Sequence, residues 1–188
     1  EITKAQEKAK LDITVDAVVK RWKEDLDKFP VGAFEFCAHT PPFRDLDLEA
    51  LTPGKSRRQD STSIYADIDG FTSYVGDRIS DDELAEDVVR VLHVLRAELD
   101  AVLHDDFAGR KIRFIGDCVH GVMVEGTAAT TDASETAKNT LLCAAAMRSS
   151  FELALEVLAD EGVDVGNLGL AIGADFGTLA ITRLGMKG

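Results

Sequence analysis

The chain has 188 residues, 45% of them hydrophobic, and a formal net charge of -13. That length suits one large domain, or one domain with an appendage, around a single sizeable core. The acidity argues against a non-specific grip on nucleic acid, whose phosphates it repels, but leaves nucleotide binding open wherever metal ions screen the carboxylates.

Residues 1–29 are highly charged, with a helical apolar rhythm of Leu11, Val15, Val18, Val19, Trp22, Leu26 and Phe29 that stops at Pro30. Such a helix either packs on its own domain or pairs with another subunit, and the pattern leaves both open. Residues 31–60 are irregular. Pro41-Pro42 and Pro53-Gly54 mark turns, and Lys55, Arg57 and Arg58 form a basic cluster that is either solvated or a phosphate contact. The domain reading is an N-terminal helix and extension over 1–60, followed by a globular domain over 61–188.

Ser61 to Ile68 reads as the first core strand. Ser80-Asp81-Asp82-Glu83 has capping-box spacing and predicts a helix after Ser80, with the stripe Leu84, Val88, Val91, Leu92, Leu95, Leu99, Val102 and Leu103. Lys111–Ile115 and Cys118–Val124 read as two strands turning at Gly116-Asp117. Residues 126–132 form a loop. Asp132-x-x-Glu135 opens a second long helix, from about Ala133 to Leu158. Leu168–Ala174 and Thr178–Leu184 read as a last hairpin, turning at Asp175-Phe176-Gly177. Strand, helix, hairpin, helix, hairpin predicts an α+β sandwich with helices over one face of an antiparallel-rich sheet. With no G-x-G-x-x-G and no Walker A lysine loop, a doubly wound nucleotide fold is set aside.

Cys37, Cys118 and Cys143 form no C-x-x-C pair and read as free thiols of a reducing, cytoplasmic compartment. His39, His93, His104 and His120 lack zinc spacing. No signal peptide is recognisable, and no apolar run reaches the roughly 18 residues of a membrane span.

The chemistry concentrates in two stretches, residues 64–72 (IYADIDGFT) and 113–118 (RFIGDC). Each sets a carboxylate at the end of an apolar run beside a glycine. A strand ending in Asp67 and turning at Gly70 leaves the N–H groups of Gly70, Phe71 and Thr72 free to cradle phosphate. Asp67 and Asp117, if neighbours, could hold two divalent cations that activate a hydroxyl and neutralise a leaving pyrophosphate. Taken singly, a D-x-D at a strand end or a Gly-Asp in a hairpin is a turn or cap residue. Their occurrence together, on either side of a long helix, favours the site.

The stretch 66–73 (ADIDGFTS) closely resembles the first metal motif of class III nucleotidyl cyclases, and 114–118 (FIGDC) resembles their second. Residues 169–173 (GLAIG) through Leu184-Gly185 resemble the next strand pair, so the likeness runs from Ser61 to Gly188. It implies the ferredoxin-like α/β sandwich shared with polymerase palms. It further implies that Asp67 and Asp117 hold two Mg²⁺ or Mn²⁺ ions, with the Ile68 carbonyl as an extra ligand. The ribose 3′-hydroxyl of a nucleoside triphosphate then attacks the α-phosphorus while the Gly70, Phe71 and Thr72 amides hold the β- and γ-phosphates. Two catalytic domains meet head to tail in this family, so a homodimer is implied.

Two positions depart from the family pattern. Three residues before Gly116, adenylate cyclases usually carry Lys and guanylate cyclases Glu; this chain has Arg113, which only donates hydrogen bonds. Two residues before Asp67 the family often has Phe, where Tyr65 stands. Arg113 in a salt bridge and Tyr65 in the core are the ordinary readings. As substrate-binding residues they resemble the pyrimidine cyclases of bacterial anti-phage systems and favour UTP over CTP, because uracil offers two carbonyl acceptors. The family's base-reading Asp or Thr and its ribose and transition-state Asn and Arg are expected in chain beyond Gly188. Thr178 stands where some members carry a phosphate-binding Arg. The expectation is a uridylate cyclase; an adenylate cyclase and a catalytically degenerate dimerisation module are the alternatives.

Overall fold

The computed structural model describes residues 14–30 and 32–184. The chain divides into two compact units, residues 1–35 and residues 36–188. In the first, helix α1 (Val15–Asp27) is capped by Thr14, whose Oγ1 accepts from the Ala17 N–H at 3.2 Å. None of its residues is buried, and Val15, Trp22 and Leu26 are exposed. Leu11, from the same expected stripe, lies outside the described residues.

The second unit runs β1 (Phe36–Cys37), β2 (Ser56–Asp69), α2 (Phe71–Gly76), α3 (Asp82–Ala101), β3 (Arg110–Ile115), β4 (Cys118–Met123), α4 (Ala133–Asp160) and β5 (Gly169–Ile181). A single π turn, Val102–Asp106, continues α3. The sheet is ordered β3-β4-β2-β5 with antiparallel neighbours, and β1 pairs in parallel with the first residues of β2. This is the expected α+β sandwich.

Strand β2 organises both faces. Side chains alternate along a strand, so Ile64, Ala66 and Ile68 are buried against the helices while Tyr65, Asp67 and Asp69 emerge on the opposite side. Val88, Val91, Leu95 and Leu99 of α3 and Cys143, Met147 and Phe151 of α4 recur at helical spacing and close that core. A smaller cluster of Phe43, Leu46 and Leu51 packs with Val122 and Val124, so residues 36–60 share the sheet's unit. All three cysteines are free thiols, and burial pushes that of Cys143 up to about 12.

Three expectations give way. The first core strand starts at Ser56, not Ser61, because β1 and β5 both supply partners to its early residues. The cap of α3 is Asp81, one residue after Ser80; its Oδ1 accepts from the Glu83 and Leu84 N–H groups at 3.0 and 3.1 Å. The last hairpin is absent: β5 is one continuous strand, paired with β2 from Gly169 opposite Asp69 to Ile181 opposite Arg57. Asp175, Phe176 and Gly177 stay extended because the long free edge of β2 offers a partner to each. The remaining helix and the β3–β4 hairpin stand where the sequence put them, and Asp132 Oδ1 accepts from Glu135 N–H at 3.0 Å.

Candidate active site

Two turns shape the site. Strand β2 ends at Asp69, and Gly70 follows with φ of +81°, a left-handed value that starts α2 at once, with Tyr74 N–H donating to the Gly70 carbonyl at 3.0 Å. A Cβ at Gly70 would also lie 3.3 Å from the Asn167 carbonyl oxygen. The second turn joins β3 to β4 through Gly116, whose φ is +60°. Because β4 pairs antiparallel with β2, Asp67 and Asp117 come to the same end of the sheet.

There they line one cleft of about 380 Å³ with Ile68, Asp69, Gly70, Phe71, Thr72 and Ser73. The Asp67 carboxyl is held above its ordinary value, first by burial and then by the charges of Asp117 and Asp69. The Cys118 thiol is raised in the same way, by burial and then by Asp67 and Asp117. Among the described residues none forms an ion pair with Asp67, Asp69 or Asp117. The cleft therefore gathers negative charge that no described side chain balances.

That donor set suits a hard divalent cation. No group of three or more His, Cys, Asp or Glu side chains forms a closed metal cage among the described residues. Mg²⁺ rarely uses such a cage. It binds through one or two carboxylates and takes the rest of its shell from water and substrate phosphate. Ile68 can contribute only its backbone carbonyl, since its hydrocarbon side chain, buried in the core, carries no ligating atom. A larger cavity of about 520 Å³ along α3 and β3 holds none of the motif residues, and its Asp100 and Lys111 neutralise each other in an ion pair.

Tyr65 and Arg113 lie back from the cleft on the open face of the sheet. Tyr65 is 40% exposed and so is not a core residue. Arg113 makes no ion pair among the described residues. Between them sits His120, paired in register with Tyr65 on one side and Arg113 on the other. Motif reading passed over His120 because its neighbours are set by cross-strand register alone. Thr178 donates to Asp60 Oδ1 at 2.5 Å, outside the cleft.

No family profile matches the sequence. The chain is 53% identical, over all 188 of its residues, to a uridylate cyclase from Pseudomonas aeruginosa. A solved structure from the same organism, described as a class III adenylyl cyclase-like ATP-binding protein, superposes with a TM-score of 0.88 at 53% identity over 97% of the chain. This chain belongs to the class III nucleotidyl cyclases. A second uridylate cyclase, from a Rhizobium species, is 48% identical over 155 residues, or 82% of the chain. The adenylyl cyclase CyaB of P. aeruginosa shares the fold alone, with a TM-score of 0.56 at 20% identity over 70% of the chain and 62% of that structure. This class III cyclase chain spans only part of its close relatives: 36% and 29% of the two uridylate cyclases and 38% of the first solved structure. No described helix is long and apolar enough to cross a membrane.

Proposed function

We propose that this chain is the catalytic domain of a uridylate cyclase, converting UTP to cyclic UMP and pyrophosphate. The observation that carries the reading is the meeting of Asp67 and Asp117 in one uncompensated acidic cleft. The identity to two proteins named uridylate cyclase supports the choice of base.

The roles follow from position. Asp67 and Asp117, with the Ile68 carbonyl, would hold two divalent cations. Bound there, Mg²⁺ or Mn²⁺ would neutralise the triphosphate and acidify the ribose 3′-hydroxyl. The N–H groups of Gly70, Phe71 and Thr72, at the turn into α2, hold the β- and γ-phosphates. Tyr65 and Arg113 face the base, and the Arg113 guanidinium donates to its carbonyl oxygens. The 3′-oxygen attacks the α-phosphorus as its proton leaves, the bond from that phosphorus to the bridging oxygen breaks, and pyrophosphate departs. Positioning and charge neutralisation do most of this work.

The base-facing residues lie on an open sheet face, with Tyr65 and Ile115 exposed. A head-to-tail homodimer would cover that face and complete each site with groups from a second copy. The resemblance to the pyrimidine cyclases of anti-phage systems supports a cytoplasmic enzyme whose product is a defence signal. A second reading, adenylate cyclisation, is favoured by one observation: the similar Pseudomonas structure is described as ATP-binding.

The test incubates the full-length protein with each of the four nucleoside triphosphates and Mn²⁺ and resolves the products. Cyclic UMP as the main product is expected. Cyclic AMP would move the assignment to the second reading, and no cyclic product from any triphosphate would remove the enzyme reading altogether.

A further inference from the structure

Register places four residues in one row across the open face: Gly173 on β5, Tyr65 on β2, His120 on β4 and Arg113 on β3. The proposed reaction gives His120 no part, yet it is the most constrained member of the row. Ser63 Oγ lies 2.8 Å from its Nε2. Its ring lies parallel to that of Tyr65, with centroids 4.3 Å apart and planes 3° from parallel. Its Nδ1 is buried with no partner among the described residues. Burial, and then the Arg113 charge, keep the imidazole below its ordinary pKa, so a neutral ring sits beside that guanidinium.

A half-exposed tyrosine on an open sheet has little else to choose its ring orientation. Gly173, its neighbour on the other side, offers no side chain and would have open space around a Cβ. We infer that His120 is a positioning residue for base selection: clamped by Ser63, its ring fixes the stacked Tyr65 ring in one orientation on the face that also carries Arg113. The inference rests on the cyclase reading. It adds that base preference depends on a residue which touches no phosphate and holds no metal.

The experiment compares full-length wild type with His120→Ala, His120→Phe and Ser63→Ala, measuring kcat and KM for UTP and ATP in Mn²⁺. In His120→Ala, KM for the preferred triphosphate rises roughly three- to tenfold while kcat holds, so the preference between the two falls. His120→Phe, which keeps a stacking ring, retains most of the preference, and Ser63→Ala loses part of it. Unchanged KM and preference in His120→Ala overturns the inference, and so does an equal fall in kcat with both triphosphates. If the wild type cyclises nothing, the parent reading has failed. The positioning role is then read by NMR with labelled tyrosine, assigning Tyr65 by its loss in Tyr65→Phe. Shifted Tyr65 ring signals in His120→Ala and Ser63→Ala support the clamp; unshifted ones overturn it.

Discussion

Gly121 of β4 leaves the space that Leu103 fills: a Cβ at Gly121 would sit 2.2 Å from Leu103 Cδ2. Leu103 is fully buried in the π turn that ends α3, so this contact sets how closely helix and sheet approach. The β4 backbone, which carries His120 and begins directly after Asp117, is thereby seated against the helical layer.

Gly121→Ala should accordingly overpack the core and cost about 1–3 kcal/mol. In a chain of this size that lowers the melting temperature by several degrees, at roughly 2–4 °C per kcal/mol. Adding Leu103→Ala to Gly121→Ala should recover part of the clash, a non-additivity visible in a double-mutant cycle. A single mutant that melts with the wild type would mean the helix and sheet can part without cost.

Asp67→Asn should abolish cyclase activity and leave the fold intact. The neutral amide also relieves the repulsion from Asp117 and Asp69, so metal-free thermal stability should hold or rise. Mn²⁺ at about a hundred times its dissociation constant should stabilise the wild type by about 2.7 kcal/mol and the mutant far less. Differential scanning calorimetry with and without Mn²⁺ checks both halves. Equal Mn²⁺ shifts in the two proteins would exclude Asp67 as a ligand.

The same carboxyl predicts a pH effect. Its folded pKa is raised, so between 3.8 and that higher value the folded state holds more proton than the unfolded state, and its contribution to stability declines as pH rises. Asp164 has the opposite sign. The Gly166 N–H, and then the Arg78 guanidinium at 2.5 Å, pull its carboxyl below 3.8. Its stabilising share is present above 3.8 and lost as pH falls through the depressed value. Asp164→Asn should therefore destabilise at pH 7, with the difference from wild type closing in strong acid. Urea midpoints across the acid range test this, and a gap independent of pH would contradict it.

Arg113→Ala should weaken use of the favoured triphosphate. A hydrogen bond to a charged donor is worth about 1.5–3 kcal/mol, which corresponds to roughly ten- to a hundredfold in kcat/KM. The loss should fall on bases with carbonyl acceptors more than on adenine, read as the ratio of kcat/KM for UTP to that for ATP. An unchanged ratio would return Arg113 to an ordinary surface arginine.

What the sequence made legible follows the range of each signal. Asp67, Gly70 and Asp117 could be read because a carboxylate beside a strand-ending glycine is a local pattern, and the long helix between them implied a shared sheet. The turn expected at Asp175-Phe176-Gly177 failed because local turn chemistry competes with a partner that only the fold supplies. Gly177 pairs with Ser61, and that ladder keeps the backbone extended. The shift from Ser80 to Asp81 is a contest between adjacent capping residues, settled by which side-chain oxygen reaches the Glu83 and Leu84 amides. His120 was silent because nothing in linear order ties it to Ser63, Tyr65 or Arg113.

The alternation of β2 carries a further consequence. Ile64, Ala66 and Ile68 belong to the hydrophobic interior, and Tyr65, Asp67 and Asp69 to the opposite, exposed face, on a single zigzag of backbone. Removing or inserting one residue ahead of Ile64 would invert the phase, thrusting carboxylates among leucines and spilling the interior into water. Spacing along this strand is therefore less negotiable than composition: its outward letters can be rewritten, but their count cannot.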